Sequence, residues 1–451
     1  MIWAWFFLFY QKFTFSLLSG CPDKIMHEQH KNSQRVAVIG AGVVGVATAY
    51  HLAQRGYQVV VLDQADAPAA MCSYANAGII AVGHASSWAG PEAPRQMVRA
   101  FLGKEPSVKI SRFMDPDLWR WGVSFLRNCN VAAYRKHSNA MAMLSRHGRD
   151  ALRKMETEAG LSFDQAHDGV YYLYTSQAQF AARMQANVGP ETGFTPHDAS
   201  TLMTMDPALQ AFHGKLQGGL ISDVDSKGDC QSFTAKLVDW LTARSNVTFH
   251  FGTKVSGYDT KGASVCAVLT DTGHFACDHV VIAAGTETPK LTASFGVKPM
   301  IYPIKGYSAT YPILDASRIP NRPFIDETSL LAVTQLGDRL RVTAIAEFAG
   351  HDRTITADRV AYLDTYVDQH FSGAVDVAQA KHWAGLRPTT PSGRPYLGRL
   401  RKTSNVWLNA GHGQLGWTMA AGAGEVMAAM ISGAPNTAAQ VSETARWLIT
   451  P

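Results

Sequence analysis

Six consecutive residues near the start of the chain, 40–45, have the spacing G-x-G-x-x-G, which suits the binding of a pyrophosphate. Gly40 allows a tight turn, Gly42 leaves its backbone open to a phosphate group, and Gly45 lets the next helix pack closely on the preceding strand. The N-terminus of that helix offers free N–H groups and a partial positive charge. Asp63 would accept hydrogen bonds from two ribose hydroxyls and would repel the 2′-phosphate of NADP. This chemistry favours NAD or FAD and does not choose between them.

The residues around this motif predict the elements that hold it. Residues 36–39 form an apolar, β-branched run that is typical of a buried parallel strand. Residues 46–55 are rich in helix formers and end at Gly56, and residues 59–62 predict a second strand. A strand, a glycine turn, a helix, a strand and an acid in this order indicate a dinucleotide site far more strongly than the glycines alone.

A second glycine turn lies near the other end of the chain. Residues 406–410 predict a strand that enters the sequence Gly-His-Gly-Gln-Leu-Gly-Trp-Thr at 411–418, and a helix of small residues follows over 419–431. Residues 280–284 predict a further buried strand that ends at Gly285, and we expect it beside the first two strands. Residues 117–128 predict an aromatic helix, and residues 302–311 and 330–342 predict alternating strands of a second sheet.

Composition excludes several classes of function. The chain has 451 residues, 46% hydrophobic and 17% charged, with a net charge of +5 that is spread along the chain. Nucleic-acid binding would need a clustered basic face, which is missing, so no nucleic-acid partner is expected. The six cysteines and 16 histidines show no zinc or His-Glu-x-x-His spacing, so no metal is predicted, and free thiols in a reducing compartment are expected.

The first 34 residues stand apart from the rest. Residues 2–10 are apolar and aromatic, but Gln11 and Lys12 interrupt the run, which is shorter than the roughly 20 apolar residues of a spanning helix. No basic segment precedes it and no cleavage site follows it. We expect residues 1–34 to be an extension ahead of the first strand, with residues 1–25 non-native. The alternative is an aromatic anchor on a membrane surface.

Six stretches together resemble the D-amino-acid oxidase / glycine oxidase superfamily of FAD proteins, from about Arg35 to the C-terminus. The matching stretches are residues 36–50, 73–78, 228–233, 302–308, 385–398 and 407–420. The resemblance implies an α/β architecture in which a Rossmann-type FAD-binding domain is interleaved with a mixed-sheet α+β substrate domain. The expected FAD-binding domain comprises residues 35–110, 215–296 and 381–451, and the expected substrate domain comprises residues 111–214 and 297–380.

The resemblance also implies a cofactor and a reaction. FAD would lie extended, with its adenine near Asp63 and its flavin near residues 411–418. The reaction would be oxidative deamination of a D-amino acid, such as D-alanine, to a 2-oxo acid and ammonia, with a hydride passing from Cα to flavin N5. Electrons would leave through a membrane acceptor, a quinone or the respiratory chain, rather than oxygen. The expected location is the cytoplasm or the inner face of the cytoplasmic membrane.

Two residues are the candidates for substrate contact. Arg387, in a Gly-Leu-Arg-Pro sequence, matches the family's carboxylate-binding arginine, and a guanidinium can hold both carboxylate oxygens at once. Without the resemblance, a surface arginine paired with an acid would be the simpler interpretation. Tyr307 could bond to substrate, cover the flavin or lie in the core, and Lys305 could lie near the flavin or in solvent. No general base is evident.

The resemblance and the glycine turns together predict the following cofactor contacts: Val38, Ile39, Gly40, Ala41, Gly42, Val43, Val44, Gly45, Asp63, Asn76, Ala77, Gly78, Val255, Gly285, Gly411, His412, Gly413, Gln414, Leu415, Gly416, Trp417 and Thr418. Two alternatives to this reaction remain open. One is a related amine flavoenzyme that acts on glycine, sarcosine or D-hydroxyproline. The other is a flavin-binding subunit that transfers electrons without a substrate site, and the Gly-Leu-Arg-Pro sequence argues against it.

Overall fold

The computed structural model describes residues 34–102, 107–185, 193–212 and 214–434. The expected extension at residues 1–34 therefore lies almost entirely outside the described residues. Within these ranges, no helix is both long enough and apolar enough to cross a bilayer.

A six-stranded sheet, here called the cofactor sheet, contains the apolar runs of the sequence. Its strands, in order across the sheet, are Tyr396–Arg399, Val406–Ala410, His279–Ile282, Arg35–Ile39, Gln58–Leu62 and Val247–His250. All neighbouring pairs are parallel except the one between the first two strands. The predicted placement of the strand at 280–284 beside the first strand is confirmed, because Val36 to Ile39 pair with His279 to Ile282.

The helices that cover this sheet approach one another closely through their backbones. Its principal helices are Val43–Gln54, Cys230–Thr242, Gly416–Ser432 and Val131–Ala159. An added Cβ at Gly424 would lie 2.9 Å from the carbonyl oxygen of Ala47, and one at Gly422 would lie 2.7 Å from the backbone nitrogen of Gly148. The C-terminal helix therefore crosses two other helices where glycines allow their backbones to approach.

A larger mixed sheet of nine strands stands beside the cofactor sheet. Its main path runs Lys381–Thr389, Tyr302–Pro312, Arg339–Phe348, Leu331–Leu336, Phe324–Asp326, Val170–Tyr174, Gly218–Ser222 and Phe194–Asp198, with Val108–Ile110 added beside Arg339–Phe348. Three of these strands, Lys381–Thr389, Gly218–Ser222 and Val108–Ile110, come from ranges that the sequence assigns to the FAD-binding domain. The domain boundaries themselves stay a prediction.

The remaining elements are short or peripheral. Two small sheets pair Ile79–Ile80 with Ser226–Lys227, and Val255–Lys261 with Ser264–Thr270 and His274–Ala276. The other helices are Ala93–Phe101, Pro116–Asn128, Gln177–Gln185, Ala199–Met205, Thr288–Leu291 and Ala357–Phe371. Short 3₁₀ turns occupy Pro207–Phe212, Gly285–Glu287, Ala293–Phe295, Ala316–Arg318, Val377–Gln379 and Gly413–Leu415.

One predicted strand is wrong in its extent. Residues 330–342 form parts of two strands, Leu331–Leu336 and Arg339–Phe348, which pair antiparallel. Gly337, at φ +59°, supplies the left-handed residue that a tight turn between them requires. The dipeptide Gly337-Asp338 is a turn signal inside the predicted strand, and the sequence interpretation passed over it.

Candidate active site

A single cavity of about 1320 Å³ is lined by both glycine turns and by Arg387. Its walls come from the carboxyl ends of the cofactor-sheet strands, from residues 411–418 and from the first strands of the larger sheet. In open parallel sheets, ligands bind in the crevice beyond the carboxyl ends of the strands. The two segments that the sequence predicts to share a ligand therefore face the same space.

In the first glycine turn, Gly40 and Gly45 leave no room for a side chain, whereas Gly42 does. Gly40 has φ +112°, and a Cβ there would lie 2.6 Å from the carbonyl oxygen of Ala283. A Cβ at Gly45 would lie 1.8 Å from the carbonyl oxygen of Gly40. At Gly42, by contrast, the nearest atom is Ser73 Oγ at 3.4 Å. The turn is therefore tightly packed at Gly40 and Gly45 and open toward the cavity at Gly42.

Asp63 directly follows the second strand, and its carboxylate bonds to the backbone of the first glycine turn. Its Oδ2 accepts a hydrogen bond from the Ala41 N–H at 2.5 Å, and its Oδ1 accepts one from the Ala65 N–H at 2.8 Å. Burial raises the pKa of this carboxyl, and the two backbone bonds oppose that rise. The carboxylate thus holds the glycine turn in place, a role that the sequence did not indicate, and its predicted contact with ribose stays a prediction.

The second glycine turn presents polar groups that lack partners. Gly411 has φ +84° and Gly413 has φ +54°. No described residue bonds to His412 Nε2 or to Trp417 Nε1, although both atoms are buried and both residues line the cavity. Burial lowers the pKa of His412 to about 4, so its imidazole is neutral near pH 7. Unpaired buried polar atoms beside a cavity indicate a place for a polar ligand.

The Asn76-Ala77-Gly78 segment is held by a hydrogen bond of its own and by bonds from other parts of the chain. Asn76 Oδ1 accepts from the Gly78 N–H at 2.9 Å, and the Ala77 carbonyl accepts from Thr334 Oγ1 at 2.7 Å. Asn76 and Ala77 line the cavity, whereas Gly78, at φ +67°, packs beside Leu336.

Most of the predicted cofactor contacts lie on the cavity wall. Val255, Gly285 and all of residues 411–418 line it, as do Asp63 and most of the first turn. The predicted positions that do not line it are Val38, Ala41, Gly45 and Gly78. Val38 lies inside a strand with both neighbours paired, and Gly45 provides helix packing rather than a cavity surface.

Arg387 places an unpaired cation in the cavity. It lies on strand Lys381–Thr389, and its Nη1 donates to the Ile345 carbonyl at 2.9 Å. A Cβ on Gly306 would lie 2.4 Å from Nη2, so the guanidinium rests directly on the Gly306 backbone. Among the described residues no acid forms an ion pair with it, and burial lowers its pKa. A half-buried, unpaired guanidinium is suited to binding a carboxylate.

The backbone that supports Arg387 is strained at Ile345. In the pairing of the two strands, Lys305 lies opposite Glu347 while Tyr307 lies opposite Ala344, so the strand with Ile345 carries an extra residue. Ile345 has φ +70°, a conformation that costs a β-branched residue about 1–3 kcal/mol. This bulge presents the Ile345 carbonyl to the guanidinium. No sequence signal marks it.

Tyr307 and Lys305 belong to a buried polar network. The Tyr307 hydroxyl donates to Glu347 Oε2 at 2.6 Å, and Lys305 Nζ lies 3.5 Å from the same oxygen and 3.1 Å from Asp352 Oδ2. Lys305 is only 1% exposed, so the expectation of a solvated lysine is wrong. Tyr307 lines the cavity while its hydroxyl is already bonded, and Lys305 does not line it.

A histidine–carboxylate pair on the cavity wall has no counterpart among the sequence predictions. His84 Nε2 lies 3.4 Å from Glu327 Oε1, and both residues line the cavity. Burial lowers the pKa of His84, but its hydrogen bond and charge interaction with Glu327 raise it more, and the net shift is upward. The two residues are far apart in sequence and carry no motif, so nothing in the sequence pairs them.

Comparisons with known proteins agree with this geometry. The family described as "DAO: FAD dependent oxidoreductase" matches residues 35–430. A D-amino acid dehydrogenase of Cereibacter sphaeroides is 40% identical over 402 residues, covering 88% of this chain and 92% of the relative. A D-amino acid dehydrogenase of Rhodopseudomonas palustris is 38% identical over 399 residues, covering 87% of this chain and 92% of the relative.

Solved structures show the same fold at lower identity. Glycine oxidase from Bacillus cereus superposes with a TM-score of 0.68 at 18% identity, covering 89% of this chain and 95% of that chain. L-proline dehydrogenase from P. horikoshii superposes with a TM-score of 0.64 at 16% identity, covering 92% of this chain and 98% of that chain. The predicted α/β architecture and the predicted family are confirmed.

Proposed function

The chain belongs to the DAO family of FAD-dependent oxidoreductases, and from this premise we propose that it is a D-amino-acid dehydrogenase. Its substrate is a small D-amino acid such as D-alanine, and its products are a 2-oxo acid and ammonia. Two electrons and the Cα hydrogen leave the substrate together, the amine loses a proton, and water hydrolyses the resulting imine. The names of the relatives, at up to 40% identity over most of the chain, support this substrate class.

Three observations support FAD as the group that the cavity holds. The turn at Gly42 leaves open the space that a Cβ would fill. His412 and Trp417 line the cavity with buried polar atoms that no described residue satisfies. The cavity also extends continuously from the first glycine turn to Arg387. When bound, FAD supplies the two-electron oxidant that amino-acid side chains cannot provide.

The chain's own residues bind and orient the substrate. Arg387 holds the substrate carboxylate through its guanidinium, and the Ile345 carbonyl and Gly306 backbone fix that guanidinium in place. Tyr307 contributes its ring to the wall beside Arg387, and its bond to Glu347 keeps that ring fixed. A fixed carboxylate determines where the substrate Cα lies, which is the main requirement for hydride removal. The unpaired guanidinium of Arg387 in the cavity carries this proposal.

Anaerobic bleaching of the flavin by different amines tests the substrate class. The isolated holoenzyme is mixed without oxygen with D-alanine, L-alanine, glycine or sarcosine, and the flavin absorbance is followed. We expect D-alanine to bleach it faster than the other three compounds. Bleaching by glycine or sarcosine alone would replace the proposal with a related amine oxidoreductase.

The electron acceptor is proposed to be a membrane quinone or another respiratory component, with the enzyme in the cytoplasm or at the inner face of the cytoplasmic membrane. The relatives are named dehydrogenases, which supports an acceptor other than oxygen. The test is to reduce the flavin with D-alanine and then add oxygen or a short-chain quinone. We expect the quinone to reoxidise it faster, and faster reoxidation by oxygen would contradict the proposal.

A further inference from the structure

A β-bulge in the larger sheet lies beside the guanidinium of Arg387. In strand Arg339–Phe348 two residues, Ile345 and Ala346, lie opposite the single residue Gly306 of the neighbouring strand. The guanidinium rests on the Gly306 backbone and donates to the Ile345 carbonyl. Both of these contacts come from the bulge or from the residue opposite it, so the position of the guanidinium depends on the shape of the bulge.

The bulge has a strained backbone that does not persist on its own. Ile345 has φ +70°, which is unfavourable for a β-branched residue. Strain of this kind is kept only where the surrounding contacts hold the backbone in place. Bulges beside a site also re-aim the groups that they carry. Contacts that fix the two ends of this bulge would therefore fix the direction of the Ile345 carbonyl.

One side chain connects the two ends of the bulge. Tyr307 pairs with Ala344, the residue just before the bulge. Its hydroxyl donates to Oε2 of Glu347, the residue just after the bulge, at 2.6 Å. We call this hydrogen bond between Tyr307 and Glu347 the bulge clamp. Because it joins both ends, it limits how the two residues between them can move.

The acceptor of the bulge clamp is itself held firmly. Glu347 is 4% exposed, Lys305 Nζ lies 3.5 Å from its Oε2, and the Ser111 hydroxyl donates to its Oε1. Burial raises the pKa of this carboxyl, but the hydrogen bonds from Ser111 and Tyr307 and the charge of Lys305 lower it more, and the net shift is downward. The group is therefore ionised near pH 7, and an ionised acceptor strengthens the bond from Tyr307.

The residues that hold the clamp lie behind the cavity wall. Glu347, Lys305 and Ser111 do not line the cavity, and the Tyr307 hydroxyl is already donated to Glu347. A ligand in the cavity would therefore meet the guanidinium of Arg387 without meeting the carboxylate that supports it. Any effect of Glu347 on ligand binding passes through the bulge.

We propose that Glu347 and Tyr307 are positioning residues for the substrate carboxylate: their hydrogen bond fixes the bulge, and the bulge fixes the guanidinium of Arg387. This inference rests on the carboxylate-binding role of Arg387 proposed above and names the contact that determines where that group lies. The clamp acts on the affinity for a carboxylate and leaves the FAD content unchanged.

Binding of propionate to the holoenzyme tests this coupling without turnover. Propionate has a carboxylate and no amine, and its Kd is measured from the change that it causes in the flavin absorbance. We expect Tyr307→Phe, which removes the hydroxyl and keeps the ring, to raise this Kd about tenfold, a size typical of coupling within one hydrogen-bonded network. Glu347→Gln should leave the Kd within about twofold of the wild type, because its amide oxygen still accepts from Tyr307.

Tyr311→Phe is the matched control for Tyr307→Phe. Tyr311 lies on the same strand, and its hydroxyl donates to Asp364 Oδ1, also at 2.6 Å. The strand pairing at Tyr311 is regular, with no bulge, and the residue does not line the cavity. Each substitution removes one tyrosine–carboxylate hydrogen bond, so both should lower the melting temperature. Only Tyr307→Phe should raise the Kd for propionate.

Glu347→Met tests whether Tyr307 acts through Glu347. This substitution breaks the clamp from its other end, while Lys305 keeps its bonds to Asp352 and to the Thr354 carbonyl, both at 3.1 Å. The two single variants and the double variant should share the same rise in Kd, because each lacks the same hydrogen bond. If Glu347→Met does not fold, the comparison of Tyr307→Phe with Tyr311→Phe decides the question.

Three results would overturn the positioning proposal: an unchanged Kd in Tyr307→Phe, an equal rise in Tyr311→Phe, or an additive rise in the double variant, which would place the Tyr307 hydroxyl on the ligand itself. A wild type that binds no propionate would overturn it as well. Propionate binding that depends on the clamp, together with no bleaching by D-alanine, would reject only the proposed reaction and would support the positioning role.

Discussion

Gly306 determines, at the scale of a single residue, how much room the guanidinium of Arg387 has. Replacing Gly306 by Ala places a Cβ 2.4 Å from Nη2, and the flexible end of the arginine must move. We expect Gly306→Ala to raise KM for D-alanine about tenfold or more, since a displacement of about 1 Å in a positioned group can cost a hundredfold in rate, while the FAD content stays unchanged. Steady-state kinetics and the flavin absorbance ratio provide the measurement.

Gly122→Ala is the matched control for this substitution, because an added Cβ there meets no atom within 4 Å. Its KM should equal that of the wild type. An unchanged KM in Gly306→Ala would show that the guanidinium does not bind substrate from its position against the Gly306 backbone.

Single residues also show which parts of the site could be predicted from the sequence. Arg387 was found because its surrounding sequence matches a family, whereas Gly306 and Ile345 carry no signal of their roles. Lys305 was expected near the flavin or in solvent, and only the solvated alternative is wrong, because its side chain is buried beside Glu347 and Asp352. Those partners come from a different strand and loop, and a sequence without pairing information cannot bring them together.

At the scale of elements, the two ends of one glycine turn perform separable tasks. Gly42→Val directs its side chain into the open cavity, so we expect it to abolish FAD retention while the melting temperature of the apoprotein changes little. Gly45→Ala brings a Cβ within 1.8 Å of a backbone oxygen, so it should lower the melting temperature of the apoprotein itself. Flavin content and thermal melting of both variants provide the measurement. Normal flavin content in Gly42→Val would reject the phosphate-binding role of this turn.

Elements with a strong local pattern were predicted well, and those defined by pairing were not. The strand–turn–helix at the first glycine motif follows from apolar runs and glycine spacing, and the structure has it with shifts of a few residues. Helix Val131–Ala159 begins after Asn130, which caps it by accepting from the Ala133 N–H at 2.9 Å. The aromatic helix was identified, but both of its sides are apolar, so the pattern could not tell the buried side from the exposed one.

At the scale of the whole molecule, buried neutral histidines make stability depend on pH. Burial lowers the pKa of His137 to about 4, against about 6.5 in an unfolded chain. The unfolded state therefore binds more protons between these values. The stabilising contribution of neutral His137 is complete above pH of about 6.5 and is lost as the pH falls toward about 4.

We expect His137→Gln to flatten this dependence. Between pH 7 and pH 4.5 the wild type should lose about 2–3 kcal/mol more free energy of unfolding than the variant, as measured by urea denaturation at both values. Glutamine can still bond to Asn128 Oδ1, which lies 2.8 Å from His137 Nε2 in the wild type. Equal losses in the two proteins would show that His137 is not held neutral by burial.

The arrangement of the whole molecule depends on two glycine turns, one near each end of the chain, that line one cavity together with Arg387. The sequence predicted both turns and the shared cofactor from their patterns and the family resemblance. It could not predict the pairing of His84 with Glu327, because that contact depends on how distant elements pack.

Anaerobic titration of the isolated holoenzyme with D-alanine, in the wild type and in Arg387→Ala, tests this arrangement most directly. We expect a yellow protein with one FAD per chain whose absorbance D-alanine bleaches. We also expect that Arg387→Ala retains FAD and is bleached about a hundredfold more slowly at the same concentration, since an anchoring charge contact is lost. A wild-type protein that binds no FAD, or equal bleaching of the two proteins, would contradict it.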